Sequence, residues 1–532
     1  MPTALTHPGV YLEELPGGAR PIAGVSTSTT AFVDFFSKGP VDAPMAIDSF
    51  DAFTAHFNGL DQRSEASYGL MQYFLNGGQR AFVLRVAPGA AASGVTFQNS
   101  GNNIIRVDAI DPGLWGDDLE VGIETFGVAP TNVFNVVVRH IRNVDGQDRV
   151  VAAESHLNLT MQENAARYAP TTVNNASRLV RVTDSGQAAG TANRPQPTQT
   201  AAGISAAAII NNPSAAGFTP LASGGDGNQP TAAQINAALP LLDLMAPQVF
   251  NMMSIPRMAR LDAAAGATPN AVSVIGAATT FCRARRAFLL IDPPTVVATM
   301  AQIQTWMNVA AVGATRDRNN AYFFPPIEIP DPLSEGRPRV VSPSGTVAGV
   351  YARTDGERGI WKAPAGTEAR VRGGDVVGPP LTDADSGVLN PLGVNALRSF
   401  PVFGNVLWGA RTGDGADQLA SEWKYVPVRR TALYLEESLV QGLRWVVFEP
   451  NDEPLWAQIR LNVGAFMQTL FRKGAFQGRT PREAYLVRCD RTTTTQADID
   501  NGVVNILIGF APLKPAEFVV IQIQQLTAQA AA

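Results

Sequence analysis

Hydrophobic and polar positions in the first part of the chain follow two alternating periods, which predict strands and helices in turn. Apolar runs at 30–36 and 80–86 have the length of buried strands. Between them, apolar residues recur at helical spacing over 50–57 and 64–75. Strands and helices joined by short connections predict an α/β layer.

The predicted secondary structure changes twice in the middle of the chain. After a stretch rich in Ala, Gly, Ser and Asn at 87–101, the pattern predicts strands at 103–109, 119–125 and 132–140. Residues 184–232 are biased to Ala, Gly, Pro, Gln, Thr and Asn, a composition that buries little apolar surface and predicts long, mobile loops. The α/β alternation then returns, with predicted strands at 249–255 and 287–291 and predicted helices at 272–285 and 296–309.

The last third of the chain predicts one long helix among shorter elements. Over 454–473, five apolar residues share one helix face, and Gln458, Gln468 and Arg472 lie opposite them. Asn451 or Asp452 is positioned to cap this helix. The shorter predictions are a polar turn at 382–387, a helix at 431–441, and strands at 445–448, 484–489 and 503–510.

Both ends of the chain carry the alternation of a short strand. At the start, Val10 and Leu12 point to one face and Tyr11 and Leu15 to the other. Near the end, over 517–524, Val519, Ile521 and Ile523 alternate with Phe518 and Val520. A terminal strand has an unpaired edge that another strand tends to cover. The pattern alone leaves open whether the two ends pair within one chain or between copies.

Composition narrows the function classes. The chain has 532 residues, enough for two to four domains, and a formal net charge of −5. A mildly acidic protein without a basic stripe argues against nucleic-acid binding. Two distant cysteines, Cys282 and Cys489, predict no disulfide framework and folding in a reducing cytoplasm. No signal peptide and no apolar run of membrane-spanning length is predicted, so we expect no direct membrane insertion.

Catalytic and cofactor motifs are not found in the sequence. The four histidines are scattered along the sequence. The sequence contains no His/Cys spacing typical of a zinc site, no phosphate-binding glycine loop and no nucleophile-elbow motif. The acidic run at 449–453 precedes the long helix, which favours a capping role over a glycosidase pair. Arg429 and Arg430 are interpreted as salt-bridge partners. We therefore predict no catalytic residue, no metal site and no cofactor.

Four segments carry a family resemblance. They read PGVYLEELPGGARPIAGVSTSTTAFV at 8–33, VVSPSGTVAGVYARTDGERGIWKAPAG at 340–366, FEPNDEPLW at 448–456 and GFAPLKPAEF at 509–518. Together, in this order, they resemble the tail sheath proteins of contractile phages and of related contractile injection systems.

The resemblance implies a mixed α/β fold with several domains. It predicts an inner α/β domain built from both ends of the chain, inserted outer domains, and extended N- and C-terminal arms. The expected segments are an N-terminal arm at 1–26, inner domain parts at 27–88 and 380–515, a strand-rich outer insertion at 89–232, a middle α/β domain at 233–379, and a C-terminal arm at 516–532.

The resemblance also implies a function. Sheath subunits stack as hexameric rings into a helix around a tail tube protein, between a baseplate and a tail terminator, and contract to drive the tube through a target envelope without a nucleotide. Assembly would take place in a host or bacterial cytoplasm, and the product would be a virion tail or an injection particle.

The sites that the resemblance implies lie at the arms and on the long helix. Arms of neighbouring subunits would complete a small sheet, with contacts made by Val10, Tyr11, Leu12, Leu15, Phe518, Val519, Val520, Ile521 and Ile523. The predicted tube-facing residues are Gln468, Arg472, Lys473 and Arg479, although the helix dipole explains cations at Arg472 and Lys473 almost as well.

Two alternatives remain at this point. The first is an enzyme whose active site lies unrecognised in the middle α/β domain. The second is a monomeric binding module whose arms fold back on their own body.

Overall fold

A computed structural model describes residues 20–125, 132–185, 194–198, 206–262, 270–313 and 315–522. The largest unit in these ranges is an eight-stranded sheet flanked by helices. Its strands are β1 (Thr30–Asp34), β2 (Met45–Ile47), β3 (Ala81–Arg85), β11 (Met252–Ser254), β12 (Phe288–Ile291), β13 (Asn320–Phe324), β17 (Val394–Phe400) and β18 (Gly404–Trp408).

The order across the sheet is β18-β17-β13-β12-β11-β1-β3-β2. The six inner strands are parallel, whereas β2 and β18 run antiparallel at the two edges. The chain places β3 on one side of β1 and then returns to place β11 on the other, so the order reverses between β1 and β11. A parallel sheet with this reversal is doubly wound.

Helices cover both faces of the sheet because successive strand residues point to opposite sides. Ala31 and Val33 of β1 lie in one apolar core, and Phe32 lies in the other. The first core is closed by α4 (Ala232–Ala238), α5 (Asn270–Ala284), α6 (Met300–Met307), α7 (Ala310–Gly313) and α9 (Asp383–Leu389). The second is closed by α1 (Phe50–Phe57), α2 (Glu65–Leu75), α8 (Ser344–Arg358) and α10 (Val426–Gly442).

Three smaller sheets lie around this unit. One, next to α2 and α8, contains β14 (Ile327–Asp331), β15 (Arg337–Val341) and β16 (Asp375–Val376). The other two share a separate core with α3 (Ala169–Ala176). Their strands are β4 (Gly94–Asn99), β5 (Asn102–Ala109) and β9 (Val180–Asp184) in one, and β6 (Leu119–Glu124), β7 (Val133–Val144), β8 (Gln147–Thr160) and β10 (Thr219–Pro220) in the other.

The C-terminal part has its own core around the long helix. It contains α11 (Glu453–Arg472), α12 (Pro481–Ala484), α13 (Gln496–Asp500) and the antiparallel pair β19 (Tyr485–Arg488) and β20 (Leu507–Phe510). Ile22, near the start of the described chain, is buried in this core with Leu435 of α10. The start of the described chain therefore packs into the C-terminal unit.

The predicted α/β class is confirmed, and two predicted elements are wrong. The expected strand at 445–448 is a short 3-10 turn, Arg444–Val446, because α10 ends immediately before it and Pro450 follows it. The expected polar turn at 382–387 is the start of α9, since Thr382 and Asp385 form a reciprocal capping box.

One further difference concerns the predicted segments. Strands from 27–88, 233–379 and 380–515 all join the eight-stranded sheet, so the middle segment contributes β11, β12 and β13 to the same layer as the two inner parts. The segment boundaries themselves stay a prediction.

Candidate subunit-assembly site

The N-terminal end of the described chain is fastened to α10 and α11. The main-chain N–H of Arg20 donates to Asn462 Oδ1 at 3.2 Å, and its guanidinium lies 4.7 Å from the centre of the Trp445 ring. The N–H of Val25 donates to Ser438 Oγ at 3.2 Å. The described chain therefore begins beside Trp445. The predicted arm residues Val10, Tyr11, Leu12 and Leu15 lie outside the described residues.

The C-terminal end is held by a charged cluster around Arg411. This side chain is 1% exposed and binds both carboxylate oxygens of Glu517, at 2.8 and 2.7 Å. It also donates to Asp417 Oδ1 at 2.9 Å, and Tyr425 Oη donates to Glu517 Oε2 at 3.2 Å. Burial lowers the pKa of Arg411, but the hydrogen bonds that Arg411 donates to Glu517 and the negative charges of Glu517 and Asp417 outweigh burial and leave that pKa raised. A bidentate pair of this kind is strong and directional, so it sets where the C-terminal arm begins.

The described arm residues after Glu517 are exposed to solvent. Phe518, Val519, Val520 and Ile521 are between 75 and 82% exposed, and residues 515–522 are not assigned to a strand. The predicted half-buried strand is therefore not formed within the single chain as far as it is described. Ile523 lies outside the described residues. Four consecutive exposed large apolar side chains are unusual on a free surface and indicate a contact with another molecule.

The ribbon formed by β19 and β20 is the small sheet next to the arms. Its register pairs Tyr485 with Phe510 and Arg488 with Leu507. It packs against α11, where Tyr485 Oη donates to Gln468 Oε1 at 2.8 Å. In the part of the chain that is described, no third strand pairs with either edge. An isolated two-stranded ribbon is marginal in water and is a template for added strands.

The four predicted tube-facing residues differ in their exposure to solvent. Gln468 is half-buried and bound to Tyr485, whereas Arg472, Lys473 and Arg479 are exposed. Arg472 ends α11 and Lys473 follows as its cap. Three of the four residues thus form an exposed basic group at the end of α11, and their contact with a tube stays a prediction.

A cleft of about 930 Å³ opens where the C-terminal arm leaves the body; we call it the arm-root cleft. Its walls are the ends of β17 and β18, helix α9, the loop after α8, and the arm from Leu513 to Phe518. The side chains that line it are largely apolar, among them Trp361, Leu389, Pro391, Trp408, Leu513 and Phe518. The charged residues in the lining are the cations Arg358, Lys362, Arg398 and Lys514 and the carboxylates Asp383, Asp417 and Glu517.

The crevice at which doubly wound sheets bind ligands is filled here. It lies at the carboxyl ends of β1 and β11. Asp34, at the end of β1, accepts hydrogen bonds from the N–H groups of Phe35 and Ala66. Asp292, after β12, accepts from the N–H of Ser344 at 2.8 Å and from its hydroxyl, and Ser344 Oγ lies 2.8 Å from Ser254 Oγ.

The predicted enzyme alternative finds no support at this crevice. Burial raises the pKa of both Asp34 and Asp292 to about 7, but both side chains are fully enclosed. The first turn of α8 covers them, because Gly345 packs directly on Gly69 of α2. Among the described residues, no group of three histidine, cysteine or acidic side chains is placed to hold a metal ion, and no helix has the length and apolarity to span a membrane.

Several residues of this site could not be found by local pattern. Arg411 and Glu517 are 106 positions apart, and nothing around either residue signals the pair.

Two predictions about polar residues are confirmed. Arg430 is a salt-bridge partner, since it binds Asp355 at 2.6 Å and both side chains are 2% exposed. Asp452 caps the long helix, because its Oδ1 accepts a hydrogen bond from the N–H of Leu455 at 3.1 Å.

Comparison with known proteins identifies the fold. Residues 419–525 match the family model of the phage tail sheath C-terminal domain. A tail sheath protein of Vibrio phage KVP40 is 27% identical over 214 residues, which are 40% of this chain and 30% of that protein. A putative prophage major tail sheath protein of Pseudomonas aeruginosa strain UCBPP-PA14 is 26% identical over 178 residues, 33% of this chain and 43% of that one. The alignments thus span less than half of either relative.

Solved structures match over nearly the whole chain. The sheath of an extracellular contractile injection system, PVC, in its contracted state has a TM-score of 0.58 at 18% identity and covers 99% of both chains. The contracted helical sheath of the anti-feeding prophage has a TM-score of 0.57 at 22% identity, covering 98% of this chain and 99% of that one. A sheath tail protein from Listeria innocua gives 0.58 at 12% identity, covering 93% and 96%. The chain therefore has the fold of these tail sheath structures.

Proposed function

We propose that this chain is the structural subunit of a contractile tail sheath, which polymerises as stacked rings around a tail tube and contracts to drive the tube through a target cell envelope. The observation that carries the proposal is the match over 99% of both chains to a sheath complex in its contracted state. The match to the sheath C-terminal domain over 419–525 supports it independently from sequence.

The arms supply the joints between subunits in this proposal. The N-terminal arm of one neighbour and the C-terminal arm of another add strands to the two free edges of the ribbon formed by β19 and β20. Strand addition gains affinity from main-chain hydrogen bonds, with pockets for alternate side chains setting the register. Because the arms begin at fixed points, Arg20 and Glu517, the bodies can turn while the small sheets stay joined.

The remaining partners follow from the same role. The exposed basic group of Arg472, Lys473 and Arg479 faces the tail tube protein, with contacts weak enough to be released on contraction. A baseplate lies at one end of the sheath and a tail terminator at the other. Assembly proceeds in the cytoplasm of a host or producing bacterium, without a cofactor.

Removal of either arm tests the proposal. Chains lacking residues 1–19 or 518–532 keep Arg20 and Glu517 and should remain folded monomers, because the body retains its cores. They should form no tubes under conditions in which the full chain does, as measured by sedimentation and negative-stain microscopy.

The matched control lacks only residues 527–532, a tail of small and polar residues. It should polymerise like the full chain, because the alternating apolar segment 518–523 is intact. Normal tubes from both arm deletions would contradict the proposal that the arms join subunits.

A further inference from the structure

One aromatic side chain of this protein is fully exposed on a strained backbone. Phe448 is 102% exposed, and its φ of 71° lies in the left-handed region. A bulky residue there costs free energy, and such strain persists where the surroundings impose it and is often linked to function.

The loop around Phe448 is rigid at its base. Trp445 and Val446 pack against the core of the C-terminal unit, and the N–H of Glu449 donates to the carbonyl of Val446 at 3.1 Å. This turn directs the next two side chains outward, so Val447 is 63% exposed and Phe448 entirely so. We call residues 447–448 the apolar knob.

The arm-root cleft has the complementary properties. It is open, largely apolar and about 930 Å³ in volume, which is ample for a phenyl ring and its neighbour. Phe518 of the chain's own arm lines the cleft but is 75% exposed, so it does not fill it.

The knob and the cleft lie at opposite ends of one helix. The knob precedes α11, and the cleft touches Gly474, just after α11 ends. A helix of 20 residues is about 30 Å long, so a chain cannot place its own Phe448 in its own cleft.

Each feature also sits at the root of one arm. Arg20, the first described residue, is stacked on Trp445 at the base of the knob. Glu517, from which the C-terminal arm leaves, lines the cleft. Each arm root of the described chain therefore has one of the two features beside it.

One exposed charge without an ion pair lies beside each feature, while the rest of the cleft wall carries charges of both signs, namely Arg358, Lys362, Arg398, Asp383, Asp417 and Glu517. Asp452 is an exposed carboxylate four residues after the knob, and Lys514 is an exposed cation on the cleft wall. Neither forms an ion pair within the described ranges of the chain.

We propose that the apolar knob of one copy of this chain inserts into the arm-root cleft of a neighbouring copy. The contact is heterologous, because a patch on one copy meets a different patch on the next, and such contacts propagate into rings or helices. The inference rests on the proposed sheath function and adds to it a body-to-body contact that is separate from the exchanged arms.

Substitution of the knob is the first test. Phe448→Ser should raise the critical concentration for tube formation about 30-fold, the size of effect typical of a buried aromatic anchor. Leu244→Ser, at a residue that is 63% exposed and belongs neither to the cleft lining nor to the core beneath the knob, is the matched control and should leave it unchanged. Phe448→Gly should weaken assembly equally without lowering the thermal unfolding midpoint, because glycine adopts the left-handed backbone freely.

Filling the cleft is the second test. Gly387 lies on α9 in the wall of the cleft, and a Cβ added there meets no atom within 4 Å. Gly387→Trp should block assembly, while Gly387→Ala, which leaves the cleft open, should not.

Cross-linking decides which copy supplies the knob. Phe448→Cys and Gly387→Cys chains are mixed, polymerised and treated with a short bis-maleimide; the native Cys282 and Cys489 are buried. We expect covalent pairs that contain one chain of each kind. Polymers without such pairs, or Phe448→Ser tubes at the normal critical concentration, would overturn the inference while leaving the proposed function intact. Failure of the unmodified chain to polymerise would instead contradict the proposed function and, with it, this contact.

Discussion

At the scale of single residues, the least expected feature is a chain of buried polar groups at the centre of the sheet. Asp292, Ser344 and Ser254 form a continuous hydrogen-bonded path, and Asp34 is enclosed nearby. In ligand-binding doubly wound proteins this crevice stays open. Here the carboxyls hold the N-terminal ends of α2 and α8 instead, which is a structural use of the same position.

These carboxyls make stability depend on pH in an unusual direction. Burial raises the pKa of Asp292 to about 7, above its value in an unfolded chain. Between about pH 4 and pH 7 the unfolded chain therefore releases a proton that the folded chain keeps, so this group's contribution weakens as pH rises. Asp292→Asn should gain stability relative to the unmodified chain between pH 4 and pH 8, by up to about 4 kcal/mol.

Urea unfolding of both chains at pH 5 and pH 8 measures this difference. Asp331→Asn is a control of opposite sign. Burial acts to raise the pKa of Asp331, but hydrogen bonds from the Leu333 N–H, Tyr68 and Ser334 outweigh it and leave that pKa lowered. Its loss should therefore cost the same at pH 5 and pH 8, because the stabilisation fades only as pH falls through that lowered pKa, below both measurements. A pH-independent difference for Asp292→Asn would contradict the expectation.

At the scale of elements, the packing of α8 on α2 explains the glycine-punctuated segment at 340–366. Gly345 and Gly349 are four residues apart and share one face of α8. A Cβ at Gly345 would lie 2.4 Å from the carbonyl oxygen of Gly69, and one at Gly349 would lie 2.5 Å from that of Tyr73. The two helices touch through their backbones, so these glycines are required by close approach.

Two alanine substitutions on α8 should have opposite effects. Gly345→Ala should destabilise the fold by about 1–3 kcal/mol, because the backbone of α2 cannot give way as a flexible side chain would. Gly356→Ala, on the same helix but with no atom within 4 Å of the added Cβ, should stabilise it by up to about 1 kcal/mol. Chemical denaturation of the two variants gives the comparison, and equal effects would show that close packing is not the reason for Gly345.

The elements that sequence pattern identifies are those with a clear hydrophobic period. The strands at 30–34 and 288–291 and the helix α11 follow from apolar runs and an amphipathic face. Helix α8 shows no helical hydrophobic period in the sequence, because its first half is buried on all sides and consists mostly of small residues. Helix α9 begins with a capping box in the sequence, but its polar composition predicts a turn.

The assembly site could be predicted only in part, for a related reason. The exposed apolar run after Glu517 was visible as alternation. The anchor Arg411 and the knob at Phe448 were not, because they depend on tertiary contacts and on a turn that local pattern misassigned as a strand.

At the scale of the whole molecule, the strand-rich unit between Ala91 and Gly225 is attached by a stem in which its entry and exit segments pair, and contacts of Lys38 with Trp115 and of Arg142 with Asn58 add to the attachment. The N–H of Ala91 donates to the carbonyl of Gly225 and that of Gly94 to Ala222, each at 2.9 Å. The unit has its own apolar core around β5, β6 and β7. Chain entry and exit lie side by side, as expected for an inserted domain that folds independently.

The stem is closed by a charged group that belongs to the central body. Asp226, which is 9% exposed, accepts hydrogen bonds from the N–H of Leu114 at 2.8 Å and from Arg63 at 2.7 Å. The buried Arg85 donates to the carbonyls of Gly39 and Asp226 within the body, and to that of Pro112 in the insert. Most of this network stays when the insert is removed, provided that Asp226 is kept.

We therefore expect that residues 92–224 can be replaced by a short Gly-Ser linker without loss of the central fold. Because the arms, the ribbon of β19 and β20, the knob and the arm-root cleft all lie outside the insert, the shortened chain should still polymerise, giving tubes of smaller outer diameter. Thermal unfolding and negative-stain microscopy measure both results, and residues 92–224 expressed alone should show the cooperative unfolding of a separate domain. A shortened chain that is folded yet remains monomeric would show instead that the insert itself joins subunits.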